Sequence, residues 1–251
     1  MTSLPDSFLR GHIAHRALHD RQDGRPENSL AAIQAAVDLG VAIELDVQPS
    51  ADGQAMVFHD DTLDRLTAET GPIDARTADE LTLIPLLGGH EGIPTLPQVL
   101  ALVDGRVPLL IEVKDRDGQM GPNIGGLEDA TLAALAGYSG DVALMSFNPN
   151  SVAYLAAQAP HIPRGIVTSA YSDAHWPELT PETRAHLAAV PDLDRTKAAF
   201  ISHEVGALTM PRVAEIKAQG LPILCWTVRS AEQEAQARQI ADAVTFEGYL
   251  P

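Results

Sequence analysis

Residues 42–47 read Ala-Ile-Glu-Leu-Asp-Val, and residues 107–113 read Val-Pro-Leu-Leu-Ile-Glu-Val. Both are short, mostly apolar runs, as expected of strands that are covered on both faces in a parallel sheet. Each run carries acidic side chains near its end. The ends of strands are where an α/β barrel gathers its functional groups, so these two runs indicate a barrel with a polar site at one mouth.

Strand-like and helix-like segments alternate along almost the whole chain. The predicted strands are Gly11–His15, Ala42–Val47, Ala55–His59, Val107–Val113, Val142–Ser146, Gly165–Thr168, Ala199–Ser202, Ile223–Val228 and Ala243–Phe246. The predicted helices are Glu27–Leu39, Thr95–Val103, Leu127–Ala136, Asn150–Gln158, Pro181–Ala189, Met210–Gln219 and Ala231–Ile240. This alternation predicts parallel strands with crossover helices in a TIM-type (β/α)8 barrel. The length of 251 residues is typical of one such domain, so we expect a single domain over residues 1–251.

The pattern contains nine strand candidates, whereas a closed barrel of this type needs eight. The turn at Asp52-Gly53, between the second and third candidates, is too short to contain a helix. One member of that pair is therefore expected to form an antiparallel hairpin or an extension above the barrel. Residues 62–92 break the alternation, and we interpret them as an insertion that projects from the strand-end face, where loops commonly shape a pocket.

Composition excludes several classes of function. The formal charge of −17, from 34 acidic and 17 basic residues, repels nucleic acid and anionic membrane surfaces. Cys225 is the only cysteine and lies in an apolar run, which indicates a buried, inert thiol. No signal-peptide pattern and no bilayer-length apolar run are present, so the expected location is the cytoplasm, without stable membrane insertion.

Three carboxylates are candidates for a metal site. Glu44 and Asp46 are two apart on a predicted strand and therefore point to the same side, where two unpaired buried acids would repel each other. Glu112 ends another apolar run and could supply a third oxygen. Such a set suits one divalent cation, Mg²⁺ or Ca²⁺. Solvated or salt-bridged acids are the simpler alternative for a lone Glu-x-Asp pair.

Two histidines end separate predicted strands. His15 follows Gly11-His-Ile-Ala, and His59 follows Ala55-Met-Val-Phe. One could deprotonate a nucleophile while the other protonates a leaving alkoxide. A structural role is the alternative for either histidine alone. Zinc is a rival for the pair, although zinc prefers sets richer in nitrogen or sulfur.

Four further side chains are candidates for substrate binding. Arg16 and Lys114 could hold phosphate oxygens and offset the negative field of the acids; salt bridges to those acids are the alternative. Arg16 reaches the site only if the strand before it has ended or twisted, because it adjoins His15. Glu27 opens the first predicted helix and could face the pocket, and Trp226 could form a wall if it is not simply a core residue.

Taken in order, these motifs resemble the glycerophosphodiester phosphodiesterases. The matching segments are His15-Arg16, Pro26-Glu-Asn28, Glu44-x-Asp46, Asp52-Gly53, His59-Asp60, Ile93-Pro-Thr95-Leu96, Ile111-Glu-Val-Lys114, Ser146-Phe147 and Trp226-Thr-Val228. Each segment alone is weak, but the ordered set is specific and runs from about residue 11 to residue 246.

The resemblance implies a TIM-type barrel that hydrolyses a small-molecule glycerophosphodiester to glycerol 3-phosphate and an alcohol. It implies that His15 and His59 are the acid/base pair, and that Arg16 and Lys114 contact the phosphate. The implied ligands of Mg²⁺ or Ca²⁺ are Glu44, Asp46 and Glu112. A lyase of the sphingomyelinase D type and a catalytically silent phosphodiester-binding barrel are the alternatives.

The chain departs from the family pattern at three places. Ala17 stands where the family usually has glycine after His-Arg, and glycine tolerates a positive φ that alanine does not favour. Arg229 stands where the tryptophan motif usually ends in asparagine. The final strand continues into Phe246-Glu-Gly instead of an Ile-Thr-Asp turn. These changes border the expected site and are expected to affect the choice of substrate more than hydrolysis.

Overall fold

The computed structural model describes residues 2–251. Its strands are β1 (His12–Ala14), β2 (Ala42–Pro49), β3 (Ala55–Val57), β4 (Leu109–Val113), β5 (Val142–Ser146), β6 (Arg164–Thr168), β7 (Phe200–Glu204), β8 (Ile223–Val228) and β9 (Ala243–Phe246). Its helices are α1 (Asp6–Leu9), α2 (Leu30–Leu39), α3 (Ala78–Leu81), α4 (Leu96–Val103), α5 (Gly126–Leu135), α6 (Pro149–Gln158), α7 (Pro181–Ala188), α8 (Leu193–Thr196), α9 (Pro211–Ala218) and α10 (Ala231–Ala237).

Eight of the strands form a closed parallel barrel. The sheet runs in the order β1-β9-β8-β7-β6-β5-β4-β2, and β1 also pairs with β2, which closes the ring. The strand β3 lies outside the ring and runs antiparallel to β2, with Val47 opposite Val57. The predicted (β/α)8 barrel is therefore confirmed, and the strand in excess of eight is the third candidate, which forms the second arm of a hairpin.

The two faces of β2 explain its mixed sequence. Ile43, Leu45 and Val47 pack in the apolar layer between the barrel and its helices. Glu44 and Asp46 alternate with them, so they point to the barrel interior. Alternation on a strand buried on both faces therefore sends the acids into the centre of the fold.

The barrel interior is closed at the N-terminal ends of the strands by apolar side chains. Phe8 of α1 packs there with Ile13, Phe200 and Leu224, all fully buried. Gly165 on β6 leaves room for the Phe200 ring, because a Cβ at this position would lie 2.3 Å from the ring. Since this end is filled, the barrel interior opens at the carboxyl ends of the strands.

Helix α2 begins at Leu30, three residues later than predicted. Asn28 has a φ of 59°, which is incompatible with a right-handed helix. Ser29 is the N-cap, and its hydroxyl accepts a hydrogen bond from the backbone N–H of Ala32 at 3.1 Å. The capping serine starts the helix, and the preceding residues are left free to face the barrel.

The segment 62–92, predicted as an insertion, contains the short helix α3 and has a small apolar core of its own. Leu63, Leu66, Ile73 and Leu81 are buried there against Phe58. The sequence pattern predicted no helix at α1, α3 or α8, each of which has four residues and is too short to show a helical period. No helix in residues 2–251 is long and apolar enough to cross a bilayer.

Candidate active site

A cavity of about 150 Å³ opens at the carboxyl ends of the barrel strands. It brings together eight of the nine residues that the sequence singled out. The eight are His15, Arg16, Glu44, Asp46, His59, Glu112, Lys114 and Trp226. The ninth residue, Glu27, is not part of the cavity lining and contacts the site through Arg16 and Arg65. The C-terminal face of the barrel therefore gathers side chains from distant parts of the chain, as barrel enzymes do.

Three buried carboxylates share one corner of the cavity. Glu44, Asp46 and Glu112 each offer an oxygen, and these oxygens lie within 4.8 Å of one another. Burial, followed by the charges of Asp46 and Glu112, raises the pKa of Glu44 well above its usual value. A donor set made only of carboxylate oxygens under mutual repulsion suits a hard divalent cation.

Lys114 lies between two of these carboxylates. Its Nζ is 2.7 Å from an oxygen of Asp46 and 2.7 Å from an oxygen of Glu112. Burial alone would lower the pKa of Lys114, but the two acids raise it above its usual value. The pKa of Asp46 stays below its usual range despite burial, chiefly because of the Lys114 charge. In this arrangement Lys114 is a fixed cation of the acidic cluster.

Two further contacts hold the acids in place. Asn28 donates a side-chain hydrogen bond to Asp46 at 3.0 Å, and the backbone N–H of Arg16 donates to Glu44 at 2.9 Å. Arg16 reaches the site because β1 ends at Ala14 and the chain then turns, with a φ of 52° at Arg16. Ala17 follows with a φ of 66°, so the alanine adopts the left-handed conformation that glycine would favour.

Each of the two histidines has a carboxylate partner at Nδ1. His15 Nδ1 lies 2.5 Å from Glu247 Oε2, and His59 Nδ1 lies 2.7 Å from Asp60 Oδ1. An ionised carboxylate only accepts hydrogen bonds, so Nδ1–H donates in both pairs. This fixes the tautomer and leaves Nε2 as the ring nitrogen available for proton transfer. Burial lowers the pKa of His15, in spite of the opposing effect of Glu247.

Glu27 organises the cationic edge of the site. Its carboxylate accepts hydrogen bonds from Arg16 at 2.7 Å and from both terminal nitrogens of Arg65 at 2.8 Å. These partners hold the pKa of Glu27 at about 2, although burial alone would raise it. Arg65 also binds Asp60, the neighbour of His59, so one arginine from the insertion connects Glu27 with the His59 side of the cavity.

Part of the cavity wall is aromatic and apolar. Phe147 and Trp226 pack edge to face with their ring centres 5.5 Å apart. The indole N–H of Trp226 donates to the backbone oxygen of Ser202 at 3.0 Å, which fixes the ring. The hydroxyls of Ser202 and Thr245 are buried, line the cavity and have no partner within the protein.

Asn28, Arg229 and Glu247 are among the polar residues of the site to which the sequence assigned no role. In the sequence, Asn28 enters only through the Pro26-Glu-Asn28 segment of the family resemblance, and Arg229 and Glu247 enter only as departures from the family pattern. The structure places Asn28 against Asp46, Glu247 against His15, and Arg229 against Glu247. For Glu247 a signal existed, because it immediately follows β9 and therefore lies at a strand end, where barrel sites are built.

Fold and site together are those of a TIM-barrel hydrolase. The chain belongs to the glycerophosphoryl diester phosphodiesterase family, whose sequence model matches residues 15–246. It is therefore a phosphoric diester hydrolase, as the resemblance of its motifs implies.

Individual relatives match over nearly their whole length. YhdW of Bacillus subtilis (strain 168) is 30% identical, covering 89% of this chain and 88% of its own. The glycerophosphodiester phosphodiesterase of Caldanaerobacter subterraneus subsp. tengcongensis is 28% identical, covering 92% and 91%. An Oleispira antarctica phosphodiesterase, solved in complex with the product sn-glycerol-3-phosphate, is 27% identical, with a TM-score of 0.78 and coverage of 96% and 94%.

Proposed function

We propose that this protein hydrolyses small glycerophosphodiesters to glycerol 3-phosphate and an alcohol, with the help of one divalent cation. The observation that carries the proposal is the meeting of two carboxylate-bound histidines and three buried carboxylates on one small cavity. The product bound to the Oleispira antarctica relative supports this substrate class. The family assignment supports the reaction type.

Glu44, Asp46 and Glu112 would hold the cation, Mg²⁺ or Ca²⁺. The fit rests on their all-oxygen donor set, on the closeness of these oxygens, and on the burial and neighbouring charges that raise the pKa of Glu44. When bound, such a cation stabilises the extra negative charge that develops on the phosphate oxygens. Arg16 and Lys114 would bind the phosphate, because both are cations that line the cavity.

His15 and His59 would move the protons. In each ring Nδ1 keeps its proton and donates it in a hydrogen bond to a carboxylate, so Nε2 of one ring can accept a proton from the nucleophile while Nε2 of the other donates one to the leaving alkoxide. Trp226 would pack against the carbon skeleton of the substrate, since its ring is fixed in the apolar wall. Glu27 would act indirectly by holding Arg16.

A coupled assay for glycerol 3-phosphate tests the proposal. The protein is incubated with glycerophosphocholine, glycerophosphoethanolamine and glycerophosphoglycerol, first with a chelator and then with added Mg²⁺ or Ca²⁺. We expect turnover of at least one diester with a cation and a loss of at least about 10²-fold after chelation. Full turnover after chelation would contradict the proposed need for a divalent cation. Release of a stable cyclic phosphate would favour the alternative of a lyase of the sphingomyelinase D type.

A further inference from the structure

The two residues by which the chain departs from its family at the ends of β8 and β9 contact each other. Arg229 follows β8, and Glu247 follows β9. Arg229 Nη2 and Nε lie 2.7 Å and 2.8 Å from the same oxygen, Oε1 of Glu247. These residues are 18 apart in sequence, so the pairing follows from the adjacency of the two strands.

The other oxygen of Glu247 faces two histidines. Oε2 lies 2.5 Å from His15 Nδ1 and 3.7 Å from His19 Nε2. The carboxylate of Glu247 thus has a different partner on each oxygen. Arg229 binds Oε1, and the imidazole of His15 binds Oε2. The side chains of Glu247 and His15 are only 19% and 13% exposed, so water screens this contact weakly.

We propose that Arg229 and Glu247 form a positioning pair for His15. Arg229 fixes the carboxylate of Glu247, and Glu247 fixes the ring orientation and tautomer of His15, so that Nε2 faces the cavity for proton transfer. The inference rests on the proposed function, which gives His15 a proton to move. It assigns a role to both departures from the family pattern, so the effect of Arg229 depends on the presence of Glu247.

Geometry favours this role over that of an incidental surface ion pair. An exposed pair that does nothing else contributes 0–1 kcal/mol as a rule, and either partner can be replaced freely. Here the carboxylate is shared, so loss of either arginine or glutamate changes the environment of an imidazole in the cavity. A carboxylate that orients a histidine is worth about 10–100-fold in comparable sites.

Glu247→Gln is the first test, because it keeps the shape of the side chain and removes the charge. We expect kcat to fall by about 10–100-fold, with KM changed by less than about 3-fold, since the substrate contacts remain. The limb of the pH–kcat/KM profile that belongs to His15 should move to lower pH, because an ionised carboxylate stabilises the imidazolium. His19 and Arg229 are the other charged or titratable groups that contact this carboxylate.

Arg229→Asn restores the family residue and tests whether the arginine acts through Glu247. Alone, it should lower kcat by about 3–10-fold, whereas in the Glu247→Gln background it should have no further effect, because residues that act as a unit are not additive. Arg229→Lys, which keeps the charge, should recover most of the loss. Arg10→Gln, which removes an exposed arginine at the opposite end of the barrel, is the control and should leave kcat unchanged.

A spectroscopic readout separates this inference from the proposed function. The His15 imidazole signals, identified by their loss in His15→Gln, are followed by NMR against pH in wild type and in Glu247→Gln. A downward shift of the His15 titration supports the pair even if no glycerophosphodiester is hydrolysed, an outcome that would refute only the function. An unchanged titration with unchanged kcat, or fully additive effects of the Arg229 and Glu247 substitutions, would overturn the inference.

Discussion

Lys114 Nζ is 2.7 Å from both Asp46 Oδ1 and Glu112 Oε1 and therefore lies inside the acidic cluster. All three side chains are at most 14% exposed. The lysine offsets the repulsion among the acids, which a bound cation would also relieve. We therefore expect the stability of the barrel to depend on whether a cation occupies the site.

Replacing Lys114 by methionine should destabilise the protein, because it leaves buried carboxylates without their cation. Removal of one partner from a buried ion pair typically costs about 3–5 kcal/mol. Millimolar Mg²⁺ or Ca²⁺ should recover part of that loss, since the ion supplies the missing positive charge. Urea unfolding with and without a chelator measures both effects.

Lys217→Met is the matched control. This lysine makes a surface ion pair with Asp242 at 3.0 Å, worth at most about 1 kcal/mol. The free energy of unfolding of Lys217→Met should change on addition of the cation no more than that of wild type. An equal cost for both lysine variants, or no recovery of Lys114→Met by either ion, would argue against the shared role.

Glu44→Gln should separate function from stability. Glu44 is buried, and burial together with Asp46 and Glu112 raises its pKa, so its charge is unfavourable without a cation. A neutral amide should therefore leave the chelated protein as stable as wild type or more so, while cation affinity falls by at least about 10-fold. Calorimetric titration measures the cation affinity, and thermal unfolding measures the stability. Glu215→Gln, on the surface, is the control.

His15→Ala and His59→Ala should each lower kcat by about 10²–10⁴-fold, the range for loss of a general acid or base. Cation binding should persist, because neither side chain belongs to the carboxylate set. The assay is the release of glycerol 3-phosphate, combined with calorimetric titration of the ion. His186→Ala, at a histidine that is 58% exposed, is the control. Near wild-type turnover in either variant would remove that histidine from the mechanism.

Glu234 lies away from the cavity and should make the free energy of unfolding depend on pH. Its carboxylate contacts His12, Arg238 and Tyr249, and these partners hold its pKa at about 2 in spite of burial. A pKa lowered by folding adds stability above the unfolded value of about 4.5, and this contribution is lost as pH falls from there towards 2.

Glu234→Gln should therefore cost about 2 kcal/mol at pH 7, the scale of hydrogen bonds to a charged group. The difference from wild type should shrink steadily between pH 4.5 and pH 2.5, as the wild-type carboxyl takes up its proton. Urea unfolding at several pH values measures this. A difference that stays constant across that range would mean that the charge of Glu234 contributes nothing.

The sequence predicted strands better than helix ends. The bounds of Val142–Ser146, Ile223–Val228 and Ala243–Phe246 agree with the structure. Buried strands are delimited by their own apolar runs, so their ends are visible locally. The start of the first long helix was wrong because the backbone of Asn28 is set by its contacts with the barrel, which no helical period reveals.

The sequence by itself determined the barrel, the acids that point inward and the two histidines at strand ends, because periodicity and strand-end position are local properties of the chain. Only the tertiary structure decided the partners of these groups. Glu247 and His15 are 232 residues apart, and the residue that neutralises Asp46 is Lys114, from another strand. Such pairings follow from closure of the sheet, which brings β9 beside β1 and β2 beside β4, and no local pattern encodes that adjacency.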